Sequence, residues 1–278
     1  MMTPIPFACP SSVIPAPLKE NILFLKRKVS EIALLCFEPS LPVIKDLLPF
    51  HGAWHIHLPY LVPEDFYKNP ANYTKFSARY AEDTEWKNCW DQSVTINDIE
   101  TFANTCIRIT KHCYILKPKH CILHLPDTHK QHSDFFLKHF LTVWEKELPL
   151  ELLCLENVNH ASFLDYEETI LSSSCSLCFD MAHALSYGQT DCLEHKELME
   201  KVKVVHWSAP YEEDNPENGQ DKHLNLTHLK NHTDYCINVL KNTPLTATHV
   251  LEMFSWEEIE KSKPFFFQLF QQALSQGK

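Results

Sequence analysis

The chain has 278 residues, a net charge of −11, 44% hydrophobic residues, 17 histidines and 11 cysteines. This length suits one large domain, and single α/β barrels of about 250 residues are common. The apolar content supports a sizeable core, which excludes a disordered chain. The acidic charge argues against nucleic acid as a partner, because such binding requires Lys and Arg to neutralise phosphates. We therefore predict one domain over residues 1–278 and a small-molecule substrate.

The cysteines and the first residues indicate the compartment. The cysteines are odd in number and often lie inside apolar runs, as Cys36, Cys121 and Cys154 do. This distribution is typical of reduced, buried thiols rather than of a disulfide framework. The segment Met1–Pro10 lacks a basic region followed by a long apolar stretch, and no run of about 20 apolar residues follows. We expect a cytoplasmic protein without a membrane partner, and the sequence predicts no particular oligomeric state.

Short apolar runs alternate with amphipathic segments in the first half of the chain. The predicted strands are 7–14, 30–37, 53–59 and 120–125. The predicted helices are 18–28, 42–48, 95–110 and 133–148, with Thr95 as the cap of the third. A loop rich in Tyr, Trp, Asn and Asp, residues 62–93, separates the third strand from the third helix.

The same alternation continues to the end of the chain. The predicted strands are 150–155, 177–179, 202–207 and 248–251, and the predicted helices are 165–172, 193–201, 226–240 and 256–274. A polar loop, 211–222, follows the seventh strand. Strict strand–helix alternation implies a parallel sheet, and eight such units close into a (β/α)8 TIM barrel. The alternative is a doubly wound open sheet, which would gather its site at one switch point instead of along many strands.

Metal-ligand residues stand at or just after the ends of six successive predicted strands. They are His57, His124, Glu156, Asp180, His183, His206, Asp221, His223 and Glu252. Any one of them alone is more often a packed or surface residue. The carboxyl ends of barrel strands meet at one mouth, where barrel active sites lie. We therefore expect these side chains to converge there.

The chemistry of this set predicts a metal centre. Imidazole and carboxylate ligands suit divalent ions, with zinc the first candidate and manganese or iron the alternatives. The spacing Asp221-x-His223 would put two ligands on the same side of an extended segment. The set exceeds what one tetrahedral ion needs, so we predict two or three ions, which in other proteins activate water for phosphoester cleavage. No nucleophile elbow or glycine-rich phosphate loop is present in the sequence.

The ligand series resembles that of the xylose isomerase-like barrel superfamily and, within it, of endonuclease IV (AP endonuclease family 2). The resemblance rests on His57-Leu-Pro-Tyr-Leu61, Phe179-Asp-Met-Ala-His-Ala184, Asp221-Lys-His223 and Leu251-Glu252, together with His124, Glu156 and His206. It implies that the nine residues above bind a trinuclear zinc cluster that hydrolyses a phosphodiester. Sugar isomerases of this superfamily generally lack the Asp-x-His element.

Other segments resemble the cobamide-remodelling phosphodiesterases of the CbiR type. They are Pro10-Ser-Ser-Val-Ile-Pro15, Glu20–Leu25, Val29–Ala33, Cys36-Phe-Glu38, His57-Leu-Pro59, Asp221-Lys-His-Leu224 and Val250–Glu258. That resemblance implies a corrinoid substrate, whose nucleotide-loop phosphoester is hydrolysed to release a cobinamide. In a phosphodiesterase of this kind we expect Glu156 to be catalytic, positioning the attacking hydroxide as well as binding the ions. The departures are the scarcity of glycine, the Met181-Ala182 pair and Trp207.

Three other functions remain open from the sequence. They are an endonuclease acting on abasic DNA, a sugar isomerase or epimerase, and a non-catalytic metal-binding barrel. The acidic charge disfavours the first, Asp221-x-His223 disfavours the second, and the full ligand set disfavours the third. The aromatic residues Tyr80, Trp86 and Trp90 are candidates either for contacting a corrin or for a solvated insertion.

Overall fold

A computed structural model describes residues 6–36, 41–59, 99–126, 130–159, 161–212 and 222–277. Eight parallel strands form a closed barrel in sequence order, and β1 pairs with β8 through Ala8 and Val250. The strands are β1 Ala8–Pro10, β2 Glu31–Leu35, β3 Ala53–His57, β4 Cys121–His124, β5 Leu153–Glu156, β6 Ser176–Asp180, β7 Val202–Trp207 and β8 Thr248–Leu251. The predicted (β/α)8 barrel is confirmed, and the open sheet is excluded.

Helices follow the strands around the barrel. Within the described ranges they are α1 Leu18–Leu25, α2 Ile44–Leu47, α3 Ile99–His112, α4 Lys130–Glu145, α5 Glu167–Ser172, α6 Met181–Ser186, α7 Lys196–Glu200, α8 Thr233–Asn242 and α9 Trp256–Ser275. Short 3-10 helices occupy Cys113–Leu116, Leu150–Leu152, Phe163–Tyr166, Thr190–Glu194 and Leu226–His232.

Several predicted boundaries were wrong for local reasons. The first strand ends at Pro10, because just beyond it the Leu35 N–H bonds the Ser11 hydroxyl instead of a backbone carbonyl. Residues 150–152, predicted as strand, form a 3-10 turn that follows Pro149, whose φ is −65°. The helix predicted over 226–240 begins as a 3-10 helix with non-helical angles at Leu229. The predicted cap Thr95 and the aromatic loop with Tyr80, Trp86 and Trp90 lie outside the described residues.

The inside of the barrel has an apolar middle layer and a polar upper layer. Alternate side chains of a barrel strand point inward, and one small cluster fills the middle: Ala8, Ala33, Ile122, Cys154, Cys178, Val204 and Val250. On β4–β8 the position two residues beyond this cluster carries His124, Glu156, Asp180, His206 and Glu252. Because residues two apart on a strand point to the same side, all five of these side chains point inward, one layer nearer the carboxyl-terminal mouth.

The larger core lies between the barrel wall and the helices, where residues such as Leu34, Leu155 and Phe179 are fully buried. The ten cysteines among the described residues are buried and not in disulfides, which confirms the expected buried thiols. In the same part of the chain, no helix has the length and apolar character needed to cross a membrane.

Candidate metal centre

Strand register brings the predicted ligands together at the mouth. His124 on β4 lies beside Glu156 on β5, and Asp180 on β6 lies beside His206 on β7. The next strand, β8, places Glu252 directly after its last residue. The sequence folds this way because each ligand ends an apolar, β-branched or cysteine-containing run that pairs with its neighbours.

Glu156 occupies the centre of the cluster. Its Oε2 atom lies 3.0 Å from His57 Nε2 and 3.4 Å from His124 Nε2. Its Oε1 atom lies 2.8 Å from His206 Nδ1. Glu156, His57 and His206 are buried, whereas the His124 side chain is 23% exposed. One carboxylate thus contacts three imidazoles, and His124 faces the opening.

His206 joins this group to a second one. Its Nδ1 atom is 2.9 Å from Glu252 Oε2 and 3.9 Å from Asp180 Oδ2. Two sets of ligand atoms each lie within 4.8 Å of one another: His57, Glu156 and His206 in one, and Glu156, Asp180, His206 and Glu252 in the other. Each set is a group that can hold a divalent ion, and the two sets share Glu156 and His206.

The hydrogen bonding of the cluster fits a metal ion. Neither nitrogen of His206 has a well-oriented hydrogen bond within the described residues, and Glu156 Oε2 has none there either. His206 Nδ1 faces Glu156 and Glu252, and Glu156 Oε2 faces His57. Because these contacts are not well-oriented hydrogen bonds, a divalent ion would be a suitable additional partner for the cluster. The donor set of imidazoles and carboxylates is the one that zinc, manganese and iron bind.

Charge in the cluster is set by the same contacts. Burial raises the pKa of Glu156, but neighbouring imidazoles, His206 foremost, outweigh burial and hold that pKa well below its usual value. Burial also raises the pKa of Glu252, yet His206 and His223 outweigh it and lower the pKa to about 2. For His206, burial lowers the pKa, whereas the Cys178 thiol and both carboxylates outweigh burial and raise it. Both carboxylates are therefore ionised at neutral pH and can attract a cation.

His183 lies beside the cluster on α6. Asp180 caps this helix, since its Oδ1 atom accepts a hydrogen bond of 2.8 Å from the His183 backbone N–H. The His183 ring meets the His124 ring edge to face, with centroids 6.3 Å apart. The sequence did not predict helix α6, because its six residues are too few to show helical periodicity.

His223 approaches from the opposite side, with an unexpected backbone. Its Nδ1 atom lies 3.1 Å from the Glu252 carbonyl oxygen and 3.9 Å from Glu252 Oε2. Its φ of 46° is left-handed, so the extended segment predicted through Asp221-x-His223 was wrong at His223. The isolated antiparallel bridge between Ala209 and Leu224 fixes the chain next to it. Asp221 itself lies outside the described residues.

Two buried amides behind the ligands were not singled out from the sequence. Asn157 bonds the Asp180 backbone, and Gln189 bonds Asn157. Asn157 directly follows Glu156 at a strand end, and this position could have marked it in the sequence as a residue of the site. Gln189 gave none, because it follows a helix that the sequence did not predict.

Comparisons with known proteins support the fold. No protein-family model and no curated protein sequence matches the chain. Solved structures do match it over nearly its whole length. A D-tagatose 3-epimerase-like protein aligns with a TM-score of 0.65 and 13% identity, covering 99% of this chain and 100% of that one.

Two further structures align in the same way. Endonuclease IV from Thermus thermophilus gives a TM-score of 0.59 and 14% identity, covering 98% of this chain and 100% of that one. A xylose isomerase domain-containing protein from Salmonella typhimurium gives 0.55 and 13%, covering 97% and 96%. At such identities the likeness concerns the fold. The chain has the closed (β/α)8 barrel fold of these three proteins.

Proposed function

We propose that this protein is a metal-dependent phosphodiesterase that hydrolyses the nucleotide-loop phosphoester of a cobamide and releases a cobinamide. The observation that carries the proposal is the buried cluster at the barrel mouth, in which Glu156 and Glu252 face imidazoles. Among the described residues, neither carboxylate is paired with a lysine or arginine. A cluster of this kind favours a bound cation as its neutralising partner.

We assign the ligand positions from the two sets of converging atoms. His57, Glu156, Asp180, His206 and Glu252 make up these two sets, and we assign His124, His183, His223 and Asp221 as further ligands. The ions would be two or three in number, zinc first and manganese or iron otherwise. When bound, they would supply a lowered pKa for an attacking water and neutralise charge on the leaving oxygen.

Glu156 is the residue we assign to catalysis. Its pKa lies well below the usual value, so it is ionised at neutral pH and acts only as a hydrogen-bond acceptor. Its Oε2 atom lacks a well-oriented hydrogen bond within the described chain. This atom would therefore accept a hydrogen bond from the attacking water and orient the water toward phosphorus.

The corrinoid assignment is supported by contacts among the segments that resemble the cobamide-remodelling phosphodiesterases. The Trp256 N–H donates to the Val13 carbonyl oxygen at 2.8 Å, which joins the segment Val250–Glu258 to the segment Pro10–Pro15. Asn21 Oδ1 accepts from the Val13 N–H at 2.8 Å, which adds the segment Glu20–Leu25. Three segments that are distant in sequence thus form one connected wall where β1 and β8 adjoin. The net charge of −11 further disfavours a long polyanion as substrate.

The test compares substrates under one set of conditions. Cobalamin, a duplex containing an abasic site and a ketose are incubated separately with the protein at low ionic strength. Zinc, manganese or iron(II) is added in turn, with a reductant to protect the thiols. We expect release of a cobinamide, little nicking of the DNA and no epimerised sugar.

Two outcomes would contradict the proposal. Strong nicking of abasic DNA without cobamide turnover would transfer the assignment to an endonuclease. Conversion of the ketose alone would transfer it to an epimerase. A Glu156→Gln variant controls for contaminating activity, because it should be inactive in whichever assay the wild-type protein is active.

A further inference from the structure

Asn157 connects the ends of two neighbouring strands behind the metal centre. It follows Glu156 at the end of β5 and is 1% exposed. Its Oδ1 atom accepts a hydrogen bond of 2.8 Å from the Asp180 N–H, and its Nδ2 atom donates to the Asp180 carbonyl oxygen at 3.0 Å. The two bonds together fix the orientation of the amide, because a flipped amide would face a donor with a donor and an acceptor with an acceptor.

The backbone of the same residue orients His183. The Asn157 carbonyl oxygen lies 2.8 Å from His183 Nδ1. A carbonyl can only accept, so Nδ1 carries the proton and Nε2 carries the lone pair. A hydrogen bond of this kind is the usual way in which a protein sets the tautomer and ring direction of a metal-binding histidine.

Gln189 holds Asn157 from behind. Its Oε1 atom accepts from Asn157 Nδ2 at 3.1 Å, and its Nε2 atom donates to the carbonyl oxygens of Val158 and Asn159 at 2.7 and 3.0 Å. Its own N–H donates to the Ala184 carbonyl oxygen at 2.9 Å. Gln189 therefore ties the turn after β5 to helix α6.

We propose that Asn157, supported by Gln189, is a positioning residue that sets Asp180 and His183 as one unit. This inference rests on the proposed metal centre. The other ligands that surround Glu156 come from β3, β4 and β7, whereas the Asn157 side chain bonds the end of β6. Disturbing the amide should therefore weaken ion binding by the set that contains Asp180 more than ion binding by the set of His57, Glu156 and His206.

The decisive variant is Asn157→Asp. It has the same shape and retains an acceptor for the Asp180 N–H, but it replaces the Nδ2 donor with an oxygen that faces two acceptors. Zinc and manganese titrations of the metal-free protein should show one class of sites weakened by about 10- to 100-fold. The remaining sites should keep wild-type affinity. In the loaded enzyme, kcat should fall while KM stays unchanged.

Two further variants complete the experiment. Asn238→Asp places the same substitution in an exposed asparagine pair on α8, and it should leave every ion-binding constant unchanged. Gln189→Glu keeps the acceptor for Asn157 but loses the Nε2 donors, so it should weaken the same class of sites by a smaller factor. It also provides the test if Asn157→Asp fails to fold.

The ion affinities separate this inference from the proposed function. Equal ion affinity in Asn157→Asp and wild-type protein, or a lowered melting temperature of the metal-free protein with unchanged affinity, would overturn the positioning role. Uniform weakening of all sites would overturn it as well. A wild-type protein that binds ions but leaves cobalamin intact would contradict the proposed function while the ion-affinity comparison still decides the role of Asn157.

Discussion

The barrel contains two buried groups of histidine and carboxylate, and they differ in what neutralises them. Near the amino-terminal end, Glu31 lies 3.0 Å from His55 Nδ1 through Oε1 and 2.6 Å from Lys119 Nζ through Oε2. At the mouth, Glu156 and Glu252 contact imidazoles, and no lysine or arginine among the described residues pairs with either.

The physical consequence follows from the cost of burying charge. Burial raises the pKa of Glu31, but His55 and Lys119 outweigh it and lower the pKa to about 2. Lys119 is half exposed, so it supplies a permanent positive charge at little desolvation cost. Within the described chain, the carboxylates at the mouth face imidazoles and no lysine or arginine, and imidazoles neutralise them when protonated. A buried carboxylate with its own lysine is thus a structural pair, whereas a carboxylate without one favours an added cation.

The largest expected effect separates the two groups by activity. Glu156→Gln should reduce the proposed phosphoester hydrolysis to background while the fold persists, because the charge that would assemble the ions and orient the water is lost. Glu31→Gln is the matched control, a buried glutamate in the same barrel, and should retain turnover. Circular dichroism would check both folds. Near-normal turnover in Glu156→Gln would contradict a catalytic role for Glu156.

Removal of ions should produce the next largest effect, on stability. At ion concentrations about 100 times Kd, binding stabilises the folded state by about 2.7 kcal/mol. Chelation should therefore lower the melting temperature of the wild-type protein by several degrees, and zinc should restore it. Glu31→Gln should show the same shift, since its group lies outside the ion sites. A wild-type melting temperature that changes with neither chelator nor zinc would contradict the proposed difference between the two groups.

A smaller effect on stability, specific to the group of Glu31, His55 and Lys119, should appear at acid pH. The folded pKa of Glu31, about 2, lies below its ordinary value of 4.5. The ionised Glu31 side chain therefore contributes fully to the free energy of unfolding above pH 4.5. This contribution, at most about 3 kcal/mol, is lost as the pH falls through 2. In metal-free protein, the stability difference between wild type and Glu31→Gln should shrink over this window. Denaturant unfolding at several pH values measures it, and a constant difference would show that Glu31 is not the titrating group.

Much of the fold was predictable because many of the barrel strands carry two sequence signals. Each is a short apolar run, and four of the eight end in a histidine or carboxylate, as β3 does at His57 and β5 at Glu156. Since side chains alternate with period two, the ligand positions follow once the strand is placed. The convergence of six strands on one mouth then follows from closure of the barrel.

The remainder depends on contacts that no local pattern encodes. The partners of the Asn157 side chain lie 23 and 32 residues away. The left-handed backbone of His223 is set beside a bridge to Ala209 on another segment. Helix α6 forms where Asp180 caps a run too short to display a period. These features are tertiary, so sequence patterns could not reveal them.

Elemental analysis of the purified protein tests the central claim most directly. The wild-type chain, passed through metal-free buffer, should retain at least two divalent ions, consistent with the two overlapping ligand sets. Glu31→Gln should retain the same number, and Glu156→Gln should retain fewer. A wild-type protein that holds no divalent ion and takes up none from added zinc, manganese or iron(II) would contradict the account.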